Sequence, residues 1–272
     1  MIKKFLFLIC TILISLPVIA SDTDYIKMCP VIPAQAKFTP TKITGINWIT
    51  EKIAESIIKK ELKKETKGKF KVTIKSRSTG DLINGKFNSL YMTGKNLNVE
   101  GTHISNFTSQ TLCGYNSVKL NKDSVQFREN MVLNYELEIN NDAISATLKD
   151  INYVNELKKI LPVKDAKIQI KNNKLYYILE IPTYVTKPLK ITISSEINVT
   201  NGRLRLTSIK VPNNPFINTS KITSALEKTN PFAFSSDIMD NKESKVYVDS
   251  VKIINDIIHI KGLVLIPKNT ES

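Results

Sequence analysis

The chain has 272 residues and a formal net charge of +14, with 42% hydrophobic and 24% charged residues. This length is enough for one large or two small domains with hydrophobic cores, and no stretch beyond the N-terminus is apolar enough to cross a bilayer. The lysines are scattered instead of gathered into one run, so the charge alone is weak evidence for any one partner.

Residues 1–20 have the pattern of a secretory signal peptide. Two lysines precede an apolar run from Phe5 to Val18, and small or tolerated residues stand before a cut after Ala20. The run is shorter than the roughly 20 residues of a spanning helix, and an uncleaved N-terminal anchor is the alternative. We therefore predict an exported protein of the periplasm or cell envelope. Its anionic neighbours there are phospholipid headgroups, lipopolysaccharide or acidic wall polymers, and nucleic acid is not the expected partner.

Residues 21–47 are predicted to form an irregular N-terminal arm, because three prolines discourage regular structure. Cys29 lies in this arm, and Cys113 is the other cysteine that remains once the signal peptide and its Cys10 are removed. In an oxidising compartment the two either form one disulfide or stay as unrelated buried thiols. A bridge would attach the arm to the first sheet.

The segment EKIAESIIKKELKKETKGKF (51–70) predicts an amphipathic helix that starts near Thr50 and Glu51 and ends at Gly68. Its apolar stripe at helical spacing consists of Ile53, Ile57, Ile58 and Leu62, extended toward the N-terminus by Trp48, Ile49 and Ala54. Burying each such side chain is worth roughly 1.5–3 kcal/mol, whereas a lysine near an anionic surface gains about 1 kcal/mol. The stripe therefore decides where the helix lies, and we expect it to pack on a sheet.

Strand patterns follow the helix. The alternating segments KFKVTIKSRS and MVLNYELEI predict strands, and short β-prone pieces lie between them. The segment NNDAISATLKDINYVNELKKILP predicts a helical stretch capped by Asn140 or Asn141 that stops before Pro162.

Hairpins dominate the rest of the chain. Two-residue turns are predicted at Asn172-Asn173, Asn201-Gly202 and Asn255-Asp256. The segment TSKITSALEKTNP predicts a short helix capped by Thr219 or Ser220. Helices that stand between runs of hairpins indicate an α+β protein with antiparallel sheet.

No set of residues with catalytic spacing emerges. His259 falls within a strand pattern, and His103 lies in a turn-like stretch with no Cys or His at metal-ligand spacing. Motifs for a nucleophile elbow, a phosphate-binding loop or a dinucleotide-binding turn are missing from the sequence. The acidic residues fall where turns and helix caps use them. We therefore predict no enzymatic activity, no cofactor and no metal.

Three stretches share spaced glycine and apolar positions. GDLINGKFNSLYMTGKNLNVEGTHISNF has a Leu-x-x-Gly-x-Phe-x-x-x-x-x-x-Gly-x-x-Leu rhythm, and ELEINNDAISATLKD is a strand that ends in a polar turn and a short helix. NGRLRLTSIKVP leads into the TSKITSALEKTNP helix and the SVKIINDIIHIKG hairpin. Together, over residues 48–267, they resemble the LmeA family of envelope phospholipid-binding proteins.

The resemblance implies one tubular, lipid-binding type of domain over residues 48–267, in which curved antiparallel sheets wrap around long amphipathic helices, followed by a short tail at 268–272. It also implies an envelope location and no enzymatic activity. The chain departs from the family at Thr102-His103, where small apolar residues are usual.

The sequence therefore predicts an exported, non-enzymatic protein that binds or carries phospholipid, with an apolar groove for acyl chains and a basic rim for an anionic headgroup. The predicted groove residues are Trp48, Ile49, Ile53, Ile57, Phe70, Leu226 and Phe232. The predicted headgroup or membrane surface consists of Lys59, Lys60, Lys63 and Lys64. One alternative is a structural or interaction protein of the envelope with a filled core. The other is a hydrolase in which His103 or His259 meets distant acids.

Overall fold

The computed structural model describes residue 27, residues 29–30 and the ranges 46–121, 124–183, 187–213, 218–232 and 245–268. The predicted signal peptide, most of the predicted arm and nearly all of the C-terminal tail lie outside these residues.

The described residues form five helices and thirteen strands. The helices are α1 (Ile46–Glu65), α2 (Thr79–Ile83), α3 (Asn141–Asp150), α4 (Tyr153–Lys158) and α5 (Thr219–Lys228). The strands of the first half are β1 (Lys67–Lys75), β2 (Lys86–Phe87), β3 (Ser89–Val99), β4 (Thr102–Thr111), β5 (Asn116–Asn121), β6 (Ser124–Phe127) and β7 (Met131–Ile139). Those of the second half are β8 (Asp165–Lys171), β9 (Lys174–Ile181), β10 (Leu189–Thr200), β11 (Arg203–Lys210), β12 (Lys245–Ile254) and β13 (Ile257–Ile266).

The strands build three sheets. A six-stranded sheet has the order β1-β3-β4-β7-β13-β12, a four-stranded sheet has the order β11-β10-β9-β8, and β2-β5-β6 form a small third sheet. Neighbouring strands are antiparallel in all three sheets. The prediction of an α+β protein with antiparallel sheet is confirmed.

The two larger sheets share one hydrophobic core. Helix α3 contacts β4 of the six-stranded sheet and β8 of the four-stranded sheet, and β10 contacts β12 where the sheets meet. A single cluster of buried apolar side chains extends across both sheets and the helices. Its largest buried members include Tyr135, Tyr153 and Tyr177. The sheets therefore act as two layers around a common interior.

Asparagine side chains cap α3 and α5. Asn140, one of the two predicted caps, is the N-cap of α3, and its side chain accepts a hydrogen bond from the Ala143 N–H. The helical stretch predicted beyond it is not continuous, because Asn152 adopts a left-handed conformation (φ 54°) and separates α3 from α4. Helix α5 is capped by Asn218 and not by Thr219 or Ser220, which already belong to the helix.

The three predicted hairpin turns are confirmed. Asn172-Asn173, Asn201-Gly202 and Asn255-Asp256 join β8 to β9, β10 to β11 and β12 to β13, and all six residues have positive φ. This is the conformation of the turn type that matches the twist of an antiparallel pair. Two of the turns also touch. The Asn173 N–H donates to Asp256 Oδ1 (2.8 Å), and the Asp256 N–H donates to Asn173 Oδ1 (3.1 Å).

Gly262 in β13 leaves space for a tyrosine that crosses the sheet. Its neighbours are Tyr135 in β7 and Val248 in β12. The Tyr135 hydroxyl reaches past Gly262 and donates to the Tyr247 carbonyl oxygen at 3.2 Å. A Cβ atom at position 262 would stand 2.0 Å from that carbonyl oxygen and 2.4 Å from the hydroxyl, so this position accepts only glycine.

Cys29 and Cys113 are joined by a disulfide, which is one of the two states that the sequence left open. Cys113 packs against Val132 of β7 and Leu263 and Leu265 of β13. The bridge therefore attaches the N-terminal part of the chain to the six-stranded sheet.

Candidate functional site

Helix α1 lies along β1, the edge strand of the six-stranded sheet, and meets it with two glutamates. The Ile74 N–H donates to Glu55 Oε1 at 3.2 Å. The Ser76 N–H and hydroxyl donate to Glu51 Oε1 at 2.9 and 3.2 Å. An edge strand leaves every second backbone N–H without a neighbouring strand, and these carboxylates satisfy two such donors.

The rest of the inner face of α1 is apolar. Leu62 is completely buried, and Ala54 and Ile58 pack against the core. Lys52 Nζ donates to Glu55 Oε2 at 2.5 Å, so the buried Glu55 carboxylate has a cation as well as a backbone donor. The inner face of α1 thus combines hydrophobic packing at its C-terminal half with hydrogen bonds to β1 at its centre.

The outer face of α1 exposes a row of isoleucines. Ile49, Ile53 and Ile57 follow each other at four-residue spacing and are 52%, 56% and 49% exposed. We call these three residues the isoleucine row. Trp48, the residue before Ile49, is 61% exposed, and Ile83 is exposed on α2, which contacts α1. A row of large apolar side chains on the solvent side of a surface helix is unusual, because such side chains normally face the core.

The prediction that Ile53 and Ile57 pack on the sheet is therefore wrong. Of the predicted stripe, Ala54, Ile58 and Leu62 face the protein, because hydrogen bonds from Ile74 of β1 and from Ser76 just beyond it to Glu55 and Glu51 fix the rotation of α1 about its axis. The helix also begins earlier and ends earlier than predicted, at Ile46 and Glu65.

Lysines border the isoleucine row. Lys52, Lys59, Lys60 and Lys63 are exposed on α1, and the side chain of Lys64 lies outside the described residues. The outer face therefore combines large apolar side chains with positive charge, which is the composition of helices that lie in a membrane interface.

The predicted groove residues do not line one surface. Trp48, Ile49, Ile53 and Ile57 are exposed on α1, whereas Phe70 in β1, Leu226 in α5 and Phe232 beyond α5 are buried in the core. Near Phe232 lies an apolar pocket of about 10 Å³, which it forms with Ile139, Ile144 and Leu148. This volume corresponds to about one water molecule and is too small for an acyl chain.

A polar cluster at one end of β4 joins His103 to an acid distant in the sequence, which is the contact that the hydrolase alternative required. His103 Nε2 is 2.8 Å from Asp150 Oδ2 at the end of α3, and Asn98 Nδ2 donates to the same carboxylate oxygen at 2.9 Å. The hydrogen bond from His103 lowers the pKa of the Asp150 carboxyl. The His103 N–H also donates to Thr147 Oγ1 at 2.8 Å, so the cluster fastens the β3–β4 hairpin to α3. Asn98 and His103 are 44 to 52 residues from their partners in α3, and no local pattern could have paired them.

His259 has a similar structural role. It lies in β13 as predicted, with Nδ1 3.6 Å from Glu138 Oε1, and Asn106 Nδ2 donates to Glu138 Oε2 at 2.6 Å. Among the described residues, neither histidine side chain is hydrogen-bonded to a serine or threonine hydroxyl or to a cysteine thiol. In the part of the chain that the structure describes, no three His, Cys, Asp or Glu side chains are grouped as metal ligands.

Comparison with known protein families, curated proteins and solved structures finds no match to this chain. The resemblance to the LmeA family therefore remains a prediction. None of the described helices combines the length and hydropathy needed to span a bilayer.

Proposed function

We propose that the protein is an exported, non-enzymatic phospholipid-binding protein of the cell envelope, and that it binds an anionic lipid surface with the outer face of α1. The isoleucine row carries the proposal. Large apolar side chains that lie side by side on a protein surface mark a binding face, and the adjacent lysines favour an anionic partner.

Energetics favour lipid contact through this face. Each isoleucine that leaves water gains roughly 1.5–3 kcal/mol, and each lysine near an anionic headgroup adds about 1 kcal/mol. The isoleucine row therefore supplies most of the binding free energy in this proposal, while the lysines select for negative charge. The helix would lie in the plane of the interface, with its glutamates still bonded to β1.

Two further observations support an envelope protein. The Cys29–Cys113 disulfide is typical of an oxidising compartment, and residues 1–20 have the signal-peptide pattern. The resemblance of residues 48–267 to envelope phospholipid-binding proteins points to the same partner, and the tubular arrangement of the sheets belongs to this proposal as well.

The competing function is an envelope protein that binds another protein through the same face. It is favoured by the burial of Phe70, Leu226 and Phe232, which fill the core where an acyl chain would otherwise lie. The two functions differ in whether the mature protein binds protein-free vesicles.

Trp48 makes the test direct, because it is the single tryptophan of the chain, is exposed and directly precedes Ile49. Titration with vesicles of phosphatidylglycerol and phosphatidylcholine should shift its fluorescence to shorter wavelength as the indole leaves water. Replacement of Ile49, Ile53 and Ile57 by serine should weaken binding at least tenfold, because a loss of roughly 1.4 kcal/mol of binding free energy is enough for a factor of ten. Ile254→Ser, at an equally exposed isoleucine of β12, is the matched control and should bind normally.

The lysines are tested separately. Replacement of Lys59, Lys60 and Lys63 by glutamine should remove the preference for phosphatidylglycerol and the salt dependence, while weak binding to pure phosphatidylcholine persists. Failure of the wild-type protein to bind either vesicle, or unchanged binding by the isoleucine variant, would contradict the proposal and favour a protein partner.

A further inference from the structure

A surface groove lies beside β8, far from α1 in the chain. It has a volume of about 730 Å³. One wall is the face of α3 that carries Asn141, Ser145 and Leu148, continued by Val154 of α4, and the other wall is β8 itself. The groove thus follows an edge of the four-stranded sheet, because β8 has only β9 as a neighbour.

The backbone of β8 presents hydrogen-bonding groups to this groove. The Ile170 N–H donates to Asn141 Oδ1 at 2.6 Å, and Asn141 Nδ2 donates to the Ile170 carbonyl oxygen at 2.9 Å. Both backbone groups of Ile170 therefore point away from β9. Backbone direction alternates along an antiparallel strand, so the N–H and C=O of Ile168 point into the groove as well.

The hydrogen bonds of the Asn141 side-chain amide show which kind of partner the outward backbone groups of β8 bind. It offers one N–H donor and one C=O acceptor to a single residue of β8, which is the pair of groups that a peptide bond of a neighbouring strand would offer. Farther along, the Ala166 N–H is taken by Asp165 Oδ1 at 2.9 Å. Between these two ends, the outward N–H and C=O of Ile168 form no hydrogen bond with any described residue.

The edge at β1 differs in this respect. There, the outward N–H groups of Ile74 and of Ser76, just beyond the strand, donate to Glu55 and Glu51 of α1 respectively. The protein therefore covers the β1 edge with a helix, whereas a groove remains between β8 and the helix beside it. An open edge with room beside it is the usual receptor for an added strand.

Charge and apolar surface define the occupant. Lys149, Lys167 and Lys171 are exposed around the groove, and Asp165 is its one acidic lining residue. Leu148 and Val154 supply apolar contacts on the helical wall. A second copy of the protein paired through β8 would bring these lysines together and is disfavoured. An extended peptide with acidic and apolar residues in alternation fits both walls.

We propose that the groove beside β8 binds an extended acidic segment of a partner protein, which joins the four-stranded sheet by pairing with the backbone of Ile168. Ala166 and Ile170 are four intervals apart, or about 14 Å at the usual rise per residue, so some five residues of the segment lie along this stretch.

The probe is a nine-residue peptide in which glutamate and valine alternate, with both ends blocked. Two derivatives carry N-methyl groups either on all glutamate amides or on all valine amides. In a strand these two sets of amides face opposite edges, so only one set can pair with β8. We expect the parent and one derivative to bind with similar affinity, and the other derivative to bind at least tenfold more weakly.

Protein variants test the location. Lys167→Glu combined with Lys171→Glu should weaken binding of the parent peptide at least tenfold. Lys190→Glu combined with Lys210→Glu, on exposed lysines of β10 and β11, is the charge-matched control and should bind like the wild type. The Ile168 amide should also gain protection from hydrogen exchange when the peptide is bound.

Three results would overturn the proposal. Equal affinity of the parent and both N-methylated peptides would mean that charge alone attracts them. Equal loss in both pairs of lysine variants would place binding elsewhere. Self-association through β8 that the peptide does not reverse would identify a second copy of the chain as the occupant.

Discussion

The core tyrosines are the residues whose protonation is most strongly tied to the folded state. Burial raises the pKa of Tyr153 to about 12, and it raises the pKa values of Tyr135 and Tyr177 as well. Tyr135 donates to the Tyr247 carbonyl oxygen, whereas the Tyr177 hydroxyl has no partner among the described residues. Each hydroxyl must stay protonated while its ring remains in the core.

These shifts predict loss of stability in alkaline solution. An exposed tyrosine of the unfolded chain ionises near pH 10, so below that pH both states are protonated and the tyrosines' contribution is complete. Between about pH 10 and pH 12 the unfolded state loses protons first, and the free energy of unfolding falls. For Tyr153 alone the loss approaches 2–3 kcal/mol, at about 1.4 kcal/mol for each unit of pKa. Urea unfolding across this range, followed by circular dichroism, measures it.

Tyr153→Phe separates this residue from the others. The variant should show a shallower decline of unfolding free energy above pH 10, because one buried hydroxyl has been removed. Tyr91→Phe, at an exposed position, is the control and should leave the pH profile unchanged. A steep decline that is identical in all three proteins would show that Tyr153 does not contribute.

Among the elements, the hairpins hold the two larger sheets together at their tips. The β8–β9 and β12–β13 turns belong to different sheets, and they exchange two hydrogen bonds between Asn173 and Asp256. Each side chain accepts the backbone N–H of the other turn. Because both residues already have positive φ, glycine can replace either one without straining the turn.

We expect Asn173→Gly and Asp256→Gly each to lower the free energy of unfolding by about 0.5–1.5 kcal/mol, since each removes one accepted hydrogen bond. The double variant should lose less than the sum, because breaking one bond loosens the other. Chemical denaturation of the four proteins gives the coupling. Asn172→Gly, the adjacent turn residue, should be nearly neutral. Additive losses would mean that the two bonds act independently.

For the whole molecule, the disulfide is the strongest single restraint on the unfolded chain. Cys29 and Cys113 are separated by 84 residues, and they connect the arm to β7 and β13. The net charge of +14 acts in the opposite direction, because like charges repel in the compact state. Stability should therefore depend on both redox conditions and salt.

Cys29→Ser should lower the free energy of unfolding by about 2–5 kcal/mol, because a closed loop of this length restricts the unfolded chain. The sulfur of Cys113 stays in its apolar site, so packing changes little. Thermal unfolding with and without reductant measures the effect. Reductant should destabilise the wild type and leave the variant unchanged, and equal melting temperatures of the two oxidised proteins would contradict the prediction.

Local signals account for what the sequence predicted. Asn201-Gly202 and the two related turns need only their own residues to adopt positive φ, so sequence alone located them, and the antiparallel class followed from them. The rotation of α1 depends on which backbone N–H groups of β1 are left at the sheet edge. Glu55 meets Ile74 from 19 residues away, and helical periodicity contains no such information.

The predicted groove illustrates the same limit. Phe70, Leu226 and Phe232 were grouped with Trp48 because all are large and apolar, yet burial separates the first three from the fourth. The sequence did not indicate the edge of β8 either. Asn141 has the local pattern of a helix cap, and its bonds to Ile170 span 29 residues, so no local pattern shows them.

The Tyr135 side chain that passes over Gly262 has a consequence for relatives of this protein. The hydroxyl that bonds to the Tyr247 carbonyl fills the volume that any side chain at position 262 would need. Positions 135 and 262 lie on paired strands but 127 residues apart in the chain (262 − 135). Relatives that have tyrosine at 135 should therefore have glycine at 262, and glycine should persist there even where a smaller residue replaces the tyrosine, because the Tyr247 carbonyl oxygen also lies 2.0 Å from a Cβ at 262.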